Sequence, residues 1–487
     1  MHTIRYTNRE IPTHRRINAK QITPATKTDD PVFQQFGEPF LVNDSNKVVV
    51  NDRAVAVKCA TKYQVKFDAG SKSYERYDAE RGLWTAVDEV KVARLLDDLL
   101  MELGAAHDQQ EVVSRISAAK LGSLCRMLRP HDLQIESVNT AGLVHVRNGV
   151  VDLGANRPKL LPHEPKYPFR ASSEILFNPK AGCPVFLKKF LATALAPADI
   201  RLVQIYCGSM LLGPNTCHGI LIIRGTPGGG KSTLLTVIEK VIGENNVAYL
   251  RTSHLGGRFE TSAFLGKRLL VGKDVPGDTL AVSGARMLKS LVGGDLMQAE
   301  IKYNPDKKAV RGDYHVVIVS NNNLQIALDG DQGAWGRRLL VVDFKNPKPA
   351  RPIPGFADEL VAKEASGILN WLIEGAMAYR AEMKKYGHLP LTDEQQGRVE
   401  TLLADSDNVA QFVTKCLASK SGQDVTSEEL LLGYHRVCRD QHWTPVPSHK
   451  FQTRVPDLLA EVFNIARRND IRREGRAVRG FKNVALV

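Results

Sequence analysis

The chain has no CxxC pair, no internal repeat, no low-complexity tract, and no apolar run near the ~18 residues that span a bilayer. The lack of a spanning run excludes an integral membrane protein. The seven cysteines (Cys59, Cys125, Cys183, Cys207, Cys217, Cys416, Cys438) are scattered and odd in number, which describes reduced, mostly buried thiols rather than a disulfide framework. Cys438 and His442 have a ligand-like spacing, but no second pair accompanies them, so no metal-only centre is expected. The opening MHTIRYTNREIPTHRR lacks the apolar core of a signal peptide. The expectation is a cytoplasmic protein without a membrane partner.

What is present is ordinary globular composition with a basic excess. The 487 residues are 43% hydrophobic and 24% charged, enough for about three domains. Lys and Arg number 66 against 53 acids, a net charge of +13, with a pI near 9.3. Such a balance suits a polyanionic partner such as nucleic acid, although a generally basic proteome would look the same. The charge is concentrated in Arg467, Arg468, Arg472, Arg473, Arg476, Arg479 and Lys482 near one end, and in Arg5, Arg9, Arg15, Arg16 and Lys20 near the other.

The organisation follows from periodicity. Residues 1–30 read as a basic polar tail, equally suited to DNA contact or plain disorder. Residues 31–165 read as an N-terminal α+β region: short strands between Phe40 and Trp84, a helix over VDEVKVARLLDDLLMELG stopping at Gly104, a second near Glu111–Leu128, and strands with an Asn148-Gly149 turn in LVHVRNGVVDLG. The acidic pair Asp97-Asp98 falls on the first helix as a solvated face. A proline-bearing linker runs from Pro158 to Pro168. From 166 to 350 two helices broken near Pro197 precede four apolar runs, GILIIRG, KRLLVG, YHVVIVSN and RRLLVVDF, alternating with helical stretches. That alternation predicts a mostly parallel sheet covered on both faces. Residues 351–406 are helical, and 407–487 hold three short helices and a basic, strand-like ending.

The strongest signal is Gly225-Thr226-Pro227-Gly228-Gly229-Gly230-Lys231-Ser232, followed by Thr233. It fits G-x-x-x-x-G-K-S/T between a strand run and a helical run. Glycines let backbone N–H groups turn inward around phosphates, and the following helix N-terminus favours negative charge. In this pattern Lys231 reaches the outer phosphates and Ser232 ligates Mg²⁺, so ATP and Mg²⁺ are the expected cofactors. Asp274, at the end of the next strand run, is either the metal-binding acid or a surface aspartate in a turn. Asn321, at the tip of HVVIVS, can hold an attacking water. Arg337 and Arg338 precede the last strand, where an arginine could stabilise charge in a neighbouring subunit's site.

The set GTPGGGKST, the strand ending at Asp274, MLKSLVGGD, the VSNN tip and DQGAWGRRLLVVDF resembles superfamily 3 helicases, in their phage/plasmid and poxvirus primase–helicase branch. YDAERGLW and VRNGVVDL resemble the elements before the motor in that branch. The likeness covers the chain from about residue 75 onward. It implies an α/β fold: a P-loop AAA+-like motor at 166–350, a collar-like region at 31–165, a helical connector at 351–406 and a winged-helix domain at 407–487. It also implies a ring, usually a hexamer, translocating on single-stranded or forked DNA inside a bacterial host cell. By position Lys231, Asp274, Asn321 and Arg337 or Arg338 carry hydrolysis. Lys289 and Asp295 match the motif before a DNA-gripping hairpin whose tip would carry Lys307 and Lys308.

Two features depart from that family. Paired acids are common at the metal motif, whereas here Lys273 precedes Asp274, which works alone, is helped by Asp278, or turns over slowly. No primase module is recognisable, so a primase or polymerase would be a separate partner and no primer synthesis is expected. In 407–487, Thr426-Ser427-Glu428-Glu429 has capping-box spacing, and Lys450 and Arg454 lie early in a candidate recognition helix. Arg472, Arg473 and Arg476 form a basic wing near Gly475, or simply a solvated face. The reading is an ATP-driven DNA helicase that replicates a mobile genetic element. An origin-binding initiator that assembles on duplex without processive unwinding is the alternative, and a metabolic kinase leaves the basic C-terminal region without a role.

Overall fold

The computed structural model describes residues 29–487 except 70, 130–137, 155–156, 256, 276–281, 301–306, 322–323, 329–330, 346–352 and 442. The N-terminal basic cluster, residues 301–306 of the expected hairpin, Asp278, Asn322 and His442 lie outside the described residues. The chain is mixed α/β and divides into two compact units. One runs through Thr140 and includes Asn148–Val150 and Leu161–Ser172; the other comprises Ala141–Arg147, Val151–Leu160 and Ser173–Val487.

In the first unit the strand expectation for VVVNDRAVAVKCA fails over its second half. Asn51 accepts the N–H of Ala54 through its side chain (3.3 Å), and a helix runs from Asp52 to Tyr63. Ala54, Val55, Ala56, Val57, Cys59 and Ala60 are all buried, so burial around most of the helix erased the amphipathic stripe that marks a surface helix. An antiparallel three-stranded sheet follows, Val65–Asp68, Ser73–Asp78 and Leu83–Val87. Asp88 then caps a helix over Glu89–Ala106. That helix passes through Gly104, where an added Cβ would lie 2.8 Å from Val113 Cγ2; this glycine serves packing, not termination. The helix expected over Glu111–Leu128 is two, Gln110–Ser114 and Ala118–Leu128, the second capped by Ser117. Asp97 and Asp98 are exposed.

The second unit is built on a five-stranded, all-parallel sheet in the order Val247–Tyr249, Leu269–Gly272, His315–Ser320, Ile220–Gly225, Leu339–Phe344. The apolar runs alternate between two cores. Leu221, Ile223, Val271, Val317, Val319 and Val342 face one, while Ile220, Ile222, Leu270, Val316, Ile318 and Val341 face the other. Continuous hydrophobicity in sequence is therefore the signature of two covered faces. The three-residue edge strand Val247–Tyr249 was too short to show as a run.

The first core is closed by helices Pro197–Ser209 and Phe356–Tyr386. Glu364, on the long helix, accepts the N–H groups of Val185 (2.9 Å) and Phe186 (2.8 Å) and so caps the preceding helical segment. No single described helix is long and apolar enough to cross a membrane. The bent pair Val185–Ala194 and Pro197–Leu212 has the length, but its Phe186, Phe190, Val203 and Tyr206 are buried in this core.

At the C-terminal end, helices Asn408–Cys416, Ser427–Asp440 and Ser448–Phe463 pack on a three-stranded antiparallel sheet of Leu417–Thr426, Arg476–Leu486 and Arg468–Arg473. The Thr426–Glu429 capping box forms in both directions. Leu417–Thr426 was missed because its sequence, LASKSGQDVT, is polar and exposed through its middle.

Candidate functional site

The strand Ile220–Gly225, between His315–Ser320 and Leu339–Phe344 in the sheet, ends in the glycine loop, and helix Lys231–Ile242 begins directly after it. Gly225, Gly228 and Gly230 have φ values of 150°, 80° and 98°. At Gly225 an added Cβ would sit 2.5 Å from the Phe344 carbonyl oxygen, so this turn requires glycine. The helix starts at Gly230 with no side chain capping its first N–H groups. These donors lie at the positive end of the helix. Thr226, Pro227, Gly228 and Ser232 are exposed, Thr233 is half-buried and Gly229 is buried.

Lys231 is almost wholly buried, at 3% exposure. Its ammonium donates to the carbonyl oxygens of Gly225 (2.7 Å) and Thr226 (2.8 Å) and to Asn321 Oδ1 (2.9 Å). Burial pulls its pKa below the usual lysine value, and the negative charge of Asp274 works against that shift. Asn321 also donates to Asp274 Oδ1 at 3.5 Å, the limit of a hydrogen bond. Lys231, Asn321 and Asp274, far apart in sequence, thus meet at the C-terminal ends of three adjacent parallel strands. This is the edge where open α/β sheets bind ligands.

Lys273 points elsewhere. Its ammonium pairs with Glu239 Oε2 at 2.9 Å, on the loop helix, and lies 4.7 Å from the centre of the Tyr249 ring. Beneath the loop, Arg224 binds Asp343 through two contacts of 2.8 and 3.1 Å. Sequence reasoning missed both pairs. A charged residue closing an otherwise apolar strand run, as in GILIIRG and LLVVDF, was the available signal for the second.

Arg337 and Arg338 lie at the opposite end of the sheet, where Ile220 donates its N–H to the Arg338 carbonyl (2.7 Å). At ~3.3 Å per residue, the Ile220–Gly225 strand separates them from the loop by about 17 Å, beyond the reach of an arginine side chain. Arg338 folds back to donate to the Ala334 carbonyl at 2.8 Å. Arg337 is exposed and pairs with no acid among the described residues.

The hairpin consists of Leu296–Ala299 paired antiparallel with Lys308–Arg311. Lys307 and Lys308 stand at the return strand's entry, and Lys307 pairs with Glu300 at 2.9 Å. That lysine and Arg258 hold the Glu300 carboxyl below its usual value. Lys289 is paired with Asp331 (2.5 Å). At the C-terminal end the basic residues divide. Arg454 is bonded to the largely buried Asp407, which also accepts from Gln332 Nε2 (2.6 Å). Arg473 braces Glu429 through contacts of 2.8 and 3.0 Å. Arg472 and Arg476 flank the Glu474-Gly475 turn and are exposed, and Lys450 is half-buried.

Comparison with known proteins adds the following. A model described as "Family of unknown function (DUF5906)" matches residues 223–338, from the strand that leads into the glycine loop to Arg338. No curated protein matches the chain. Among solved structures, the chain is similar to the A form of the apo NrS-1 C-terminal region, at 12% identity, TM-score 0.48, covering 88% of this chain and 98% of that one. It is also similar to another apo structure of that region, with the same identity and coverage and a TM-score of 0.45.

Proposed function

We propose that the protein is an ATP-dependent, ring-forming DNA helicase for replication of a mobile genetic element, with a P-loop AAA+-like motor and a C-terminal winged helix. The observation that carries this reading is the meeting of the glycine loop, buried Lys231, Asn321 and Asp274 at one edge of a parallel sheet. The loop fits a phosphate chain: its glycines take φ values closed to other residues, its helix start is uncapped, and Lys231 is fixed at its floor. ATP with Mg²⁺ supplies an activated phosphoanhydride and the free energy for movement. Residues 225–233 would hold the phosphates, with Lys231 turning from its two carbonyl partners to the outer ones. Ser232 and Asp274 would hold Mg²⁺, and Asn321 would orient the attacking water.

Arg337, too far from its own loop, would serve a neighbouring subunit's site. This geometry favours a closed homo-oligomer, most simply a hexamer. DNA affinity would come from Lys307 and Lys308 at the hairpin and from Arg472 and Arg476 on the C-terminal turn, through salt-sensitive phosphate contacts. Arg454 and Arg473, each tied to an acid, would shape the winged helix more than they touch DNA, and Lys450 would lie alongside the groove.

The test is strand separation of a forked DNA with ATP and Mg²⁺. Wild type should unwind, Lys231→Ala should lose both hydrolysis and unwinding, and Lys307→Ala/Lys308→Ala should hydrolyse ATP without separating strands. A wild type that binds duplex and ATP but never opens a fork would instead support an origin-binding initiator.

A further inference from the structure

Lys273 occupies a position where a second acid would be expected if Asp274 holds a metal ion. A free ammonium one residue from that carboxylate would neutralise it and repel a divalent cation. The structure turns the ammonium away from it. Lys273 and Asp274 follow the strand Leu269–Gly272, and Lys273 extends toward the loop helix, where Glu239 receives it at 2.9 Å. The Glu239 side chain is 7% exposed, and its second oxygen has no hydrogen-bond partner among the described residues. A carboxylate so buried is costly unless a cation faces it, and Lys273 is the cation that does. Tyr249, whose ring lies 4.7 Å from the ammonium, adds a second hold.

The neighbouring backbone is also tied down. Asp274 has a left-handed φ of 48°, Val275 donates its N–H to the Val319 carbonyl (3.0 Å), and Ser320 Oγ donates to the Val275 carbonyl (2.9 Å). The carboxylate of Asp274 is thereby presented to Asn321 and Lys231 while the adjacent cation is held away from it.

We propose that Glu239 is a positioning residue: it retains the Lys273 ammonium against the loop helix, so that Asp274 is not neutralised by this adjacent cation and stays available to a divalent one. This rests on the reading of the loop as an ATP·Mg²⁺ site, and it accounts for how a lone acid beside a lysine serves there.

The experiment measures binding of a fluorescent ATP analogue by the full chain while Mg²⁺ is titrated, alongside hydrolysis. Wild type should bind more tightly with Mg²⁺. In Glu239→Gln the released ammonium should raise the Mg²⁺ needed for half-maximal enhancement on the order of tenfold, the scale of the repulsion between one unit charge and a divalent cation roughly 6 Å apart in a water-like medium. Lys273→Met should keep the wild-type Mg²⁺ requirement while unfolding at a lower temperature, because it leaves Glu239 buried without its cation. The double variant Glu239→Gln/Lys273→Met, which has no stray cation, should return to the wild-type Mg²⁺ requirement. A purely structural role for Glu239 gives the opposite ranking, with the double variant at least as impaired as Glu239→Gln, and that result overturns the proposal. Thermal unfolding of each variant identifies one that has simply lost its fold. If wild type shows no Mg²⁺-dependent nucleotide binding, the reading of the site itself fails and the role of Glu239 falls with it.

Discussion

His315 shows what burial does to a single ionisable group in this fold. It opens the central strand of the parallel sheet, is 1% exposed, and shares a hydrogen bond of 3.1 Å with Ser209 Oγ through Nε2. Burial, with a smaller contribution from the charge of Arg268, pulls its pKa down to about 3. An unfolded histidine titrates near 6.5, so between those values the unfolded chain binds a proton that the folded chain refuses. Its contribution is therefore complete above about pH 6.5 and declines as the pH falls toward 3. By linkage the loss reaches about 2 kcal/mol at pH 5. Urea unfolding followed at pH 8 and pH 5 should show that extra drop in wild type and a flatter response in His315→Asn; equal pH responses would refute the assignment. Burial also governs what replacing Lys273 would do. Glutamate there would set two carboxylates face to face, one of them Glu239 at 7% exposure, so that change alone would not create a two-acid site.

Between elements, the tightest constraint is the crossing of helices Pro197–Ser209 and Phe356–Tyr386. An added Cβ at Gly375 would lie 2.0 Å from the Gln204 carbonyl oxygen, and one at Gly208 would lie 2.4 Å from both Leu372 O and Ala376 N. Backbone meets backbone there, leaving no side chain that could move aside. Gly375→Ala should therefore destabilise by roughly 2–3 kcal/mol, although alanine is favoured over glycine inside an isolated helix by about 1 kcal/mol. A chemical denaturation midpoint equal to or above wild type would show that the helices can separate without cost.

Elements were legible in the sequence where burial and period agreed. Ile220–Gly225, Leu269–Gly272, His315–Ser320 and Leu339–Phe344 stand out because both faces of the sheet are covered. Asp52–Tyr63 did not, since a helix buried on most sides carries no stripe, and its alternating valines and alanines imitate a strand. Leu417–Thr426 did not, since its middle faces solvent. The site divides along the same line. The glycine loop is local in sequence and could be read directly. The Lys273–Glu239 and Arg224–Asp343 pairs join positions 34 and 119 residues apart, and no periodicity announces them.

At the scale of the whole molecule, the decisive geometry is that the exposed arginine and the glycine loop lie at opposite ends of one sheet. A protein that needed Arg337 at its own loop could not use it. If the site is completed by a neighbour, two different lesions should complement each other. Lys231→Ala removes the loop's cation but keeps Arg337, and Arg337→Ala does the reverse. Each homogeneous preparation should be nearly inactive in ATP hydrolysis while keeping its oligomeric state. Mixed in equal amounts and allowed to exchange subunits, they should recover roughly a quarter of the wild-type rate, because a site needs an intact loop (half the subunits) and an intact arginine from its neighbour (half again) in a head-to-tail assembly. Arg338→Ala is the control: that side chain donates to the Ala334 carbonyl at 2.8 Å, so its loss should lower stability and should not be complemented by Lys231→Ala. Mixtures that stay inactive despite verified subunit exchange would show that Arg337 does not act across an interface. A head-to-tail ring would then lose the one structural feature that asks for it.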